Sequence, residues 1–173
     1  MRFSLLILVL CLTGVRCGYS TSSAMPAGWH NIYVEPFSNS INFSAAANRN
    51  LYLPLLEVKA HNAVVDRFLF DGHLRSSPAD DADLILKGDL VGYDRGALRY
   101  TENQDIQEYR VQIQVNLTLI DAHTKEVIWE EKGFTGEATY FTTGPKVTSE
   151  DSAVNDAITD LARRTVERTI ENW

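Results

Sequence analysis

The 173-residue sequence predicts an α+β fold: a two-layer sandwich with two α-helices on one face of a mainly antiparallel, four-stranded sheet, in the order β-α-β-β-β-α. Three observations predict it. Val111, Ile113, Val115, Leu117 and Leu119 alternate with Gln112, Gln114, Asn116 and Thr118, as in an antiparallel strand buried on one side. In the last segment, Val154, Ala157, Ile158, Leu161 and Thr165 recur at helical spacing, with Asp156, Asp160, Arg163 and Glu167 opposite. A second apolar-rich stretch, Asn50–Gly72, lies between a short β-branched segment and everything that follows.

The first strand falls within His30–Phe37. It is built on Ile32-Tyr33-Val34 and ended by Pro36, which has no N–H to give a ladder. The first helix is expected within Asn50–Gly72, with Asn50 as cap, Pro54 in the first turn and Asp71-Gly72 as the stop. Its apolar residues, among them Leu55, Val58, Val65, Leu69 and Phe70, spread round the wheel, so cover on more than one side is expected. Asp83–Val91 and Ala97–Tyr100 read as strand, with Gly88, Gly92 and Gly96 as bends or bulges. Glu108–Asp121 is the clearest strand. Asp121–Lys125 turns it into Glu126–Tyr140, and a Thr/Gly/Pro loop leads to the closing helix Ser149–Trp173. Thr148 with Asp151 forms a capping-box pattern there, and Glu150 and Asp151 suit the positive helix end.

Ahead of this domain, Met1-Arg2 precedes the apolar run Phe3–Leu12, then a short link and Cys17-Gly18-Tyr19. A charge before about ten apolar residues is the plan of a secretory signal peptide; a membrane-spanning helix needs roughly 20. The reading is residues 1–16 as lipoprotein signal peptide, 17–28 as lipidated N-terminus and polar tether, and 29–173 as one domain. Cys17 sits where a bacterial lipoprotein is cut and acylated. Arg16 occupies a position where a small residue is usual, which keeps open a conventional cut nearby that leaves a free thiol.

Loss of Arg2 and Arg16 leaves 14 basic residues against 23 acidic, so the balance moves from −7 to −9. An acidic domain without a Lys/Arg block is unsuited to nucleic acid, and charge alone would not hold it on anionic lipid. Attachment to a membrane would come from acyl chains on Cys17. Of the two cysteines, Cys11 leaves with the signal peptide and Cys17 is consumed by acylation, so no disulfide is expected. His30, His61, His73 and His123 show no metal-ligand spacing, and neither metal nor cofactor is expected. No phosphate loop, nucleophile elbow or catalytic carboxylate pair appears, so no catalytic residue is assigned and the chain reads as a non-enzyme.

With both helices on one side, the other face of the sheet carries Arg110, Gln112, Gln114, Asn116 and Thr118. Two readings stand: a solvated face, or a polar docking face completed by ordered water.

The assembled motifs resemble the LptE family of lipopolysaccharide-assembly lipoproteins. The resemblance rests on Cys17-Gly18-Tyr19, on Ile32–Asn39 (strand, then Pro-Phe-x-Asn turn), on Ala82–Gly88, on Val115–Asp121 with Val127-Ile128-Trp129, and on Ala157–Trp173. It implies two helices on a four-stranded sheet at the periplasmic face of the outer membrane. It also implies a role as plug and assembly partner of the LptD-type β-barrel, helping to insert lipopolysaccharide into the outer leaflet. Lipopolysaccharide phosphates would call for cations; Arg95, Arg99, Arg110 and Lys132, on or beside the middle strands, are the candidates, against a reading of each as an ordinary solvated cation. The alternatives are a lipid-binding outer-membrane lipoprotein serving another envelope transporter, which would need a continuous apolar groove, and a periplasmic enzyme, which would need convergent titratable groups in a cleft.

Overall fold

A computed structural model describes residues 28–42 and 53–171. The signal peptide, Cys17, the tether as far as Ala27 and the proposed cap Asn50 lie outside the described residues. The elements are β1 (Asn31–Val34), β2 (Ser38–Asn39), α1 (Leu56–Asp71), β3 (Arg75–Ser76), a 3-10 turn at Ala79–Asp81, β4 (Leu84–Tyr100), β5 (Ile106–Asp121), β6 (Val127–Phe141) and α2 (Glu150–Glu171). They form one sheet in the order β3-β1-β4-β5-β6, with β2 beside β4. Both helices lie on one face of it, as expected.

The sheet is mixed and has six strands rather than four. β1 runs parallel to β4, pairing Ile32 with Leu84 and Val34 with Leu86, and β3 adds a short parallel edge on its other side. Alternation fixes which residues are buried but is silent on strand direction. Here α1 carries the chain back to the end where β1 began, as a crossover must between parallel neighbours. β1 and β2 are one strand broken at Pro36, held to β4 on either side of the break by Glu35 N–H to the Leu86 carbonyl (2.9 Å) and Ser40 N–H to the Leu90 carbonyl (2.8 Å). Gly88 makes room there: a Cβ at that position would stand 2.6 Å from the Phe37 ring.

β4 is continuous for 17 residues, joining the two segments read as strand. Gly92 does not stop it because a bulge absorbs the irregularity: Leu90 faces Val115 while Gly92 already faces Gln114. An extra residue flips the alternation. Leu84, Leu86 and Leu90 point to the helices before the bulge, and Tyr93 after it.

α1 buries one stripe, Leu56, Ala60, Val64 and Phe68, and stops where Gly72 turns left-handed (φ 80°), its N–H donating to the Phe68 carbonyl. Pro54 falls ahead of the helix, which opens after Leu55 in a left-handed conformation without a side-chain cap. Leu55, Val58, Leu69 and Phe70 remain exposed, so cover on more than one side is not found among the described residues. α2 buries Ala153, Val154, Ala157, Ile158, Leu161, Ala162 and Val166. Its cap is Ser149 rather than Thr148, the Ser149 hydroxyl accepting from Ser152 N–H at 3.1 Å.

α2 also closes the free edge of β6. Arg164 donates to the Thr135 carbonyl, and Glu137 N–H donates to Asp160 Oδ2 at 3.2 Å. Further along, Phe141 pairs with Val147 and its carbonyl accepts from Thr148 N–H.

Candidate functional site

Residues opposite one another in register share a face, so the side of the sheet away from the helices can be read across three strands. Gln112 lies between Asp94 and Glu137, Gln114 between Gly92 and Thr135, and Thr118 between Lys87 and Glu130. The middle row is neutral and half-buried, as the sequence suggested, but its flanks are charged and largely acidic. Several amides are already engaged: Gln112 Nε2 donates to Glu137 at 3.1 Å, and Asn116 Oδ1 accepts from Gly133 N–H at 2.9 Å. The latter pins a bulge in β6, where Gly133 has φ 66°. No described element covers this face.

The four candidate cations do not converge. Arg95 lies on the helix side, because the bulge after Leu90 reverses the alternation of β4. Its Nη1 donates to Glu150 Oε2 at 2.5 Å and its guanidinium stacks 5.2 Å over the Tyr109 ring. A second irregularity between Ala97 and Arg99 reverses the alternation again. Arg99 therefore returns to the open face, 3.5 Å from the buried carboxylate of Glu108 and 5.9 Å over the Phe141 ring. Arg110 stands 4.0 Å from Glu137 on that face, and Lys132, in the β6 bulge, 3.6 Å from Glu130. Each candidate thus has a carboxylate of its own.

Glu150 is a residue the sequence reading valued only as a helix-end charge. It accepts from Tyr93 Oη at 2.8 Å and from Arg95, with Tyr140 Oη at 3.4 Å, and so ties the start of α2 to β4 and β6. Burial, and then the adjoining Glu150 carboxylate, push the Tyr93 phenol well above its ordinary value. Tyr140 is raised for the same two reasons. No local pattern announces such a cluster, since its members are 57 residues apart in sequence. At the other end, Asp83 accepts from the N–H groups of His30 (2.8 Å) and Asn31 (2.9 Å), which hold its carboxyl below the usual range. His123 Nε2 lies 3.2 Å from it.

Between the helices runs a groove of about 650 Å³. Ala63, Phe70, Thr159 and Ala162 line it together with Asp66, Arg67, Asp156, Asp160 and Arg163. Arg163 is bound to Asp160 and Glu167, both at 2.6 Å, so much of that charge is internally matched. Among the described residues no group of three His, Cys, Asp or Glu side chains is arranged to hold a metal.

The decisive comparison is with family models: residues 29–170 match the LptE model, described as lipopolysaccharide-assembly. The chain belongs to the LptE family. Its domain, from β1 through α2, is the LptE unit, and the matched span takes in the parallel β1–β4 pair as well as the β4–β5–β6 meander. Solved structures show how widely this LptE fold is shared. A PelC dodecamer from Paraburkholderia phytofirmans is 19% identical over 87% of this chain and 96% of its own, with TM-score 0.50. The Xanthomonas campestris protein XCC0632 is 15% identical over 84% and 88%, with TM-score 0.53. A Chlamydia trachomatis protein, CT253, is 12% identical over 82% and 95%, with TM-score 0.52. At these identities the likeness is one of fold. A search of curated proteins gave no match.

Proposed function

We propose that this LptE-family chain is an outer-membrane lipoprotein, held at the periplasmic face by acyl chains on Cys17. It plugs and helps assemble an LptD-type β-barrel and assists insertion of lipopolysaccharide into the outer leaflet, without catalysis. The observation that carries the reading is the family match over residues 29–170. The polar, uncovered face of the sheet supports it. A domain lodged in a hydrated barrel needs neutral hydrogen-bonding groups such as Gln112, Gln114 and Thr118 rather than an apolar patch.

For a role with lipopolysaccharide phosphates, Arg99, Arg110 and Lys132 are the better-placed candidates, since Arg95 is engaged beneath α2. A phosphate would have to displace Glu108, Glu137 or Glu130 from them. The groove between the helices mixes apolar Ala63, Phe70 and Ala162 with charged Asp66, Arg67, Asp156, Asp160 and Arg163, so it does not single out the lipid-carrier alternative.

Purification of the tagged, functional protein in detergent tests the proposal. Mass spectrometry should find an outer-membrane barrel in stoichiometric amount and acyl mass on Cys17. A functional protein recovered as a lone monomer would overturn the plug reading, and an unmodified Cys17 would overturn the anchor.

A further inference from the structure

Backbone bonding along β5 alternates between its two neighbours. Ala122 N–H donates to the Asp83 carbonyl just ahead of β4, and the Gln107 carbonyl accepts from Thr142 N–H just beyond β6. Even-numbered residues of β5 therefore bond to β4 and odd-numbered ones to β6. Gln114, Gln112 and Arg110 face Gly92, Asp94 and Gly96, so these three residues of β4 direct their amides and carbonyls to β5. Tyr93, Arg95 and Ala97 direct theirs out of the sheet. Nearer the start of β4 the outward groups are used: the Leu86 and Leu90 carbonyls accept from Glu35 and Ser40 N–H, and β2 pairs no further than Asp89 and Leu90. Gly92–Ala97 is thus a bare edge among the described residues, six residues or roughly 20 Å long, between the irregularities after Leu90 and after Ala97.

The side chains along it define what it would take. Edges kept from pairing commonly carry Lys or Pro, and this stretch has neither. On the helix side Tyr93 is buried and Arg95 is held by Glu150 at 2.5 Å, which keeps the outward backbone in place. On the open face Asp94 makes no ion pair or hydrogen bond among the described residues, and its row continues through Gln112 to Glu137. Beside it Gly96 leaves open space: a Cβ there would meet only Asp94 Oδ2, at 3.6 Å.

We propose that Gly92–Ala97 is a strand-addition site, at which an extended segment of the barrel protein pairs with the outward amides and carbonyls of Tyr93, Arg95 and Ala97. That segment places a Lys or Arg opposite Asp94 and a bulky side chain over Gly96, whose row continues to Arg110. The inference rests on the plug reading for the source of the segment. A closed barrel wall has every strand paired on both sides, so the added strand comes from a part of the barrel protein outside its wall. Backbone bonds then supply the grip, and Asp94 with the gap at Gly96 supplies the register.

The test compares amide hydrogen exchange, resolved to single residues, in the full-length chain produced alone and in its detergent-purified complex with the barrel. The Tyr93, Arg95 and Ala97 amides should exchange about tenfold or more slowly in the complex, while Asp94 and Gly96, already bonded to β5, change little. A photoreactive benzoylphenylalanine in place of exposed Leu98 should cross-link to the barrel protein. Ala97→Pro removes one outward donor without touching the β5 ladder and should lose both the protection and the cross-link; Ala97→Val should keep them. If Ala97→Pro is unfolded by circular dichroism, the exchange of the parent chain decides alone. Unchanged exchange at the three amides in a barrel-bound complex overturns the strand site and leaves the plug standing. Protection that is equal with and without the barrel, with cross-links to residues 43–52 of the same chain or to a second copy, gives the edge to this chain and also overturns it. A parent chain that carries no barrel loses the plug reading and this inference together.

Discussion

Replacing Gly136 with alanine would set a methyl group 2.5 Å from Leu161 Cβ and 2.7 Å from the Leu161 amide nitrogen, and closer still to the Ala157 carbonyl oxygen. Atoms at rest sit roughly 3.5–4.0 Å apart, so α2 would have to lift by about 1 Å at the point where it rides on β6. A rotamer change cannot relieve this, because two of the three obstructing atoms belong to the helix backbone. Overpacking a core costs about 1–3 kcal/mol, and backbone obstruction places Gly136→Ala near the top of that range. A loss of about 3 kcal/mol lowers the folded-to-unfolded ratio by roughly 150-fold and, for a domain of this size, the Tm by about 6–12 °C. Gly96→Ala is the contrast. Its methyl would meet nothing nearer than Asp94 Oδ2 at 3.6 Å, and removing glycine's freedom from the unfolded chain should leave stability unchanged or raise it by about 0.5 kcal/mol. Urea unfolding followed by the fluorescence of buried Trp129, under the Arg168 guanidinium, measures both. A Gly136→Ala midpoint equal to or above the parent, or a Gly96→Ala loss of similar size, would refute the close-approach argument.

Tyr93 gives a pH signature. Its folded-state pKa lies above the ordinary value of 10.0, so the native state holds the proton longer than the unfolded chain does. The associated stability is complete below pH 10 and is lost as pH rises through the folded value. Tyr93→Phe should flatten that alkaline limb in denaturant titrations at stepped pH. Asp83 acts with the opposite sign: its carboxyl is depressed below 3.8, so its contribution is present above that value and fades as pH falls. Asp83→Asn should cost about 1–2 kcal/mol at neutral pH and reduce the acid limb; an unchanged unfolding midpoint at pH 7 would remove the role assigned to it. Arg164→Ala together with Asp160→Ala should leave secondary structure intact by circular dichroism while producing multimers in size-exclusion chromatography. Continued monomeric behaviour would count against edge protection.

Much of the fold was legible because its patterns are local. The alternation of Val111–Leu119, the stripe of α2, the stop at Gly72 and the break at Pro36 each follow from a few neighbouring residues. The parallel pairing of β1 with β4 was not, since Ile32 and Leu84 would be buried in either direction. β3 is only two residues long and exposed, so it has no pattern to read. The candidate site was harder for a physical reason. Arg95 and Arg99 lie four apart in one strand and would share a face in a regular ladder. One extra residue near Val91 turns Arg95 under α2, and a second irregularity returns Arg99 to the open side. Charges were visible in the sequence, but the carboxylates that hold them, such as Glu150 for Arg95, come from distant elements.

The closure of the β6 edge sets terms for any partner built of strands. With the Thr135 carbonyl and the Glu137 amide taken by α2, and the Phe141 carbonyl by the following loop, a foreign strand finds these positions of β6 occupied, whereas β4 from Gly92 to Tyr100 pairs with β5 alone and keeps its other edge open among the described residues. Along that stretch of β6 recognition is left to side chains, while strand addition is directed to the outer half of β4.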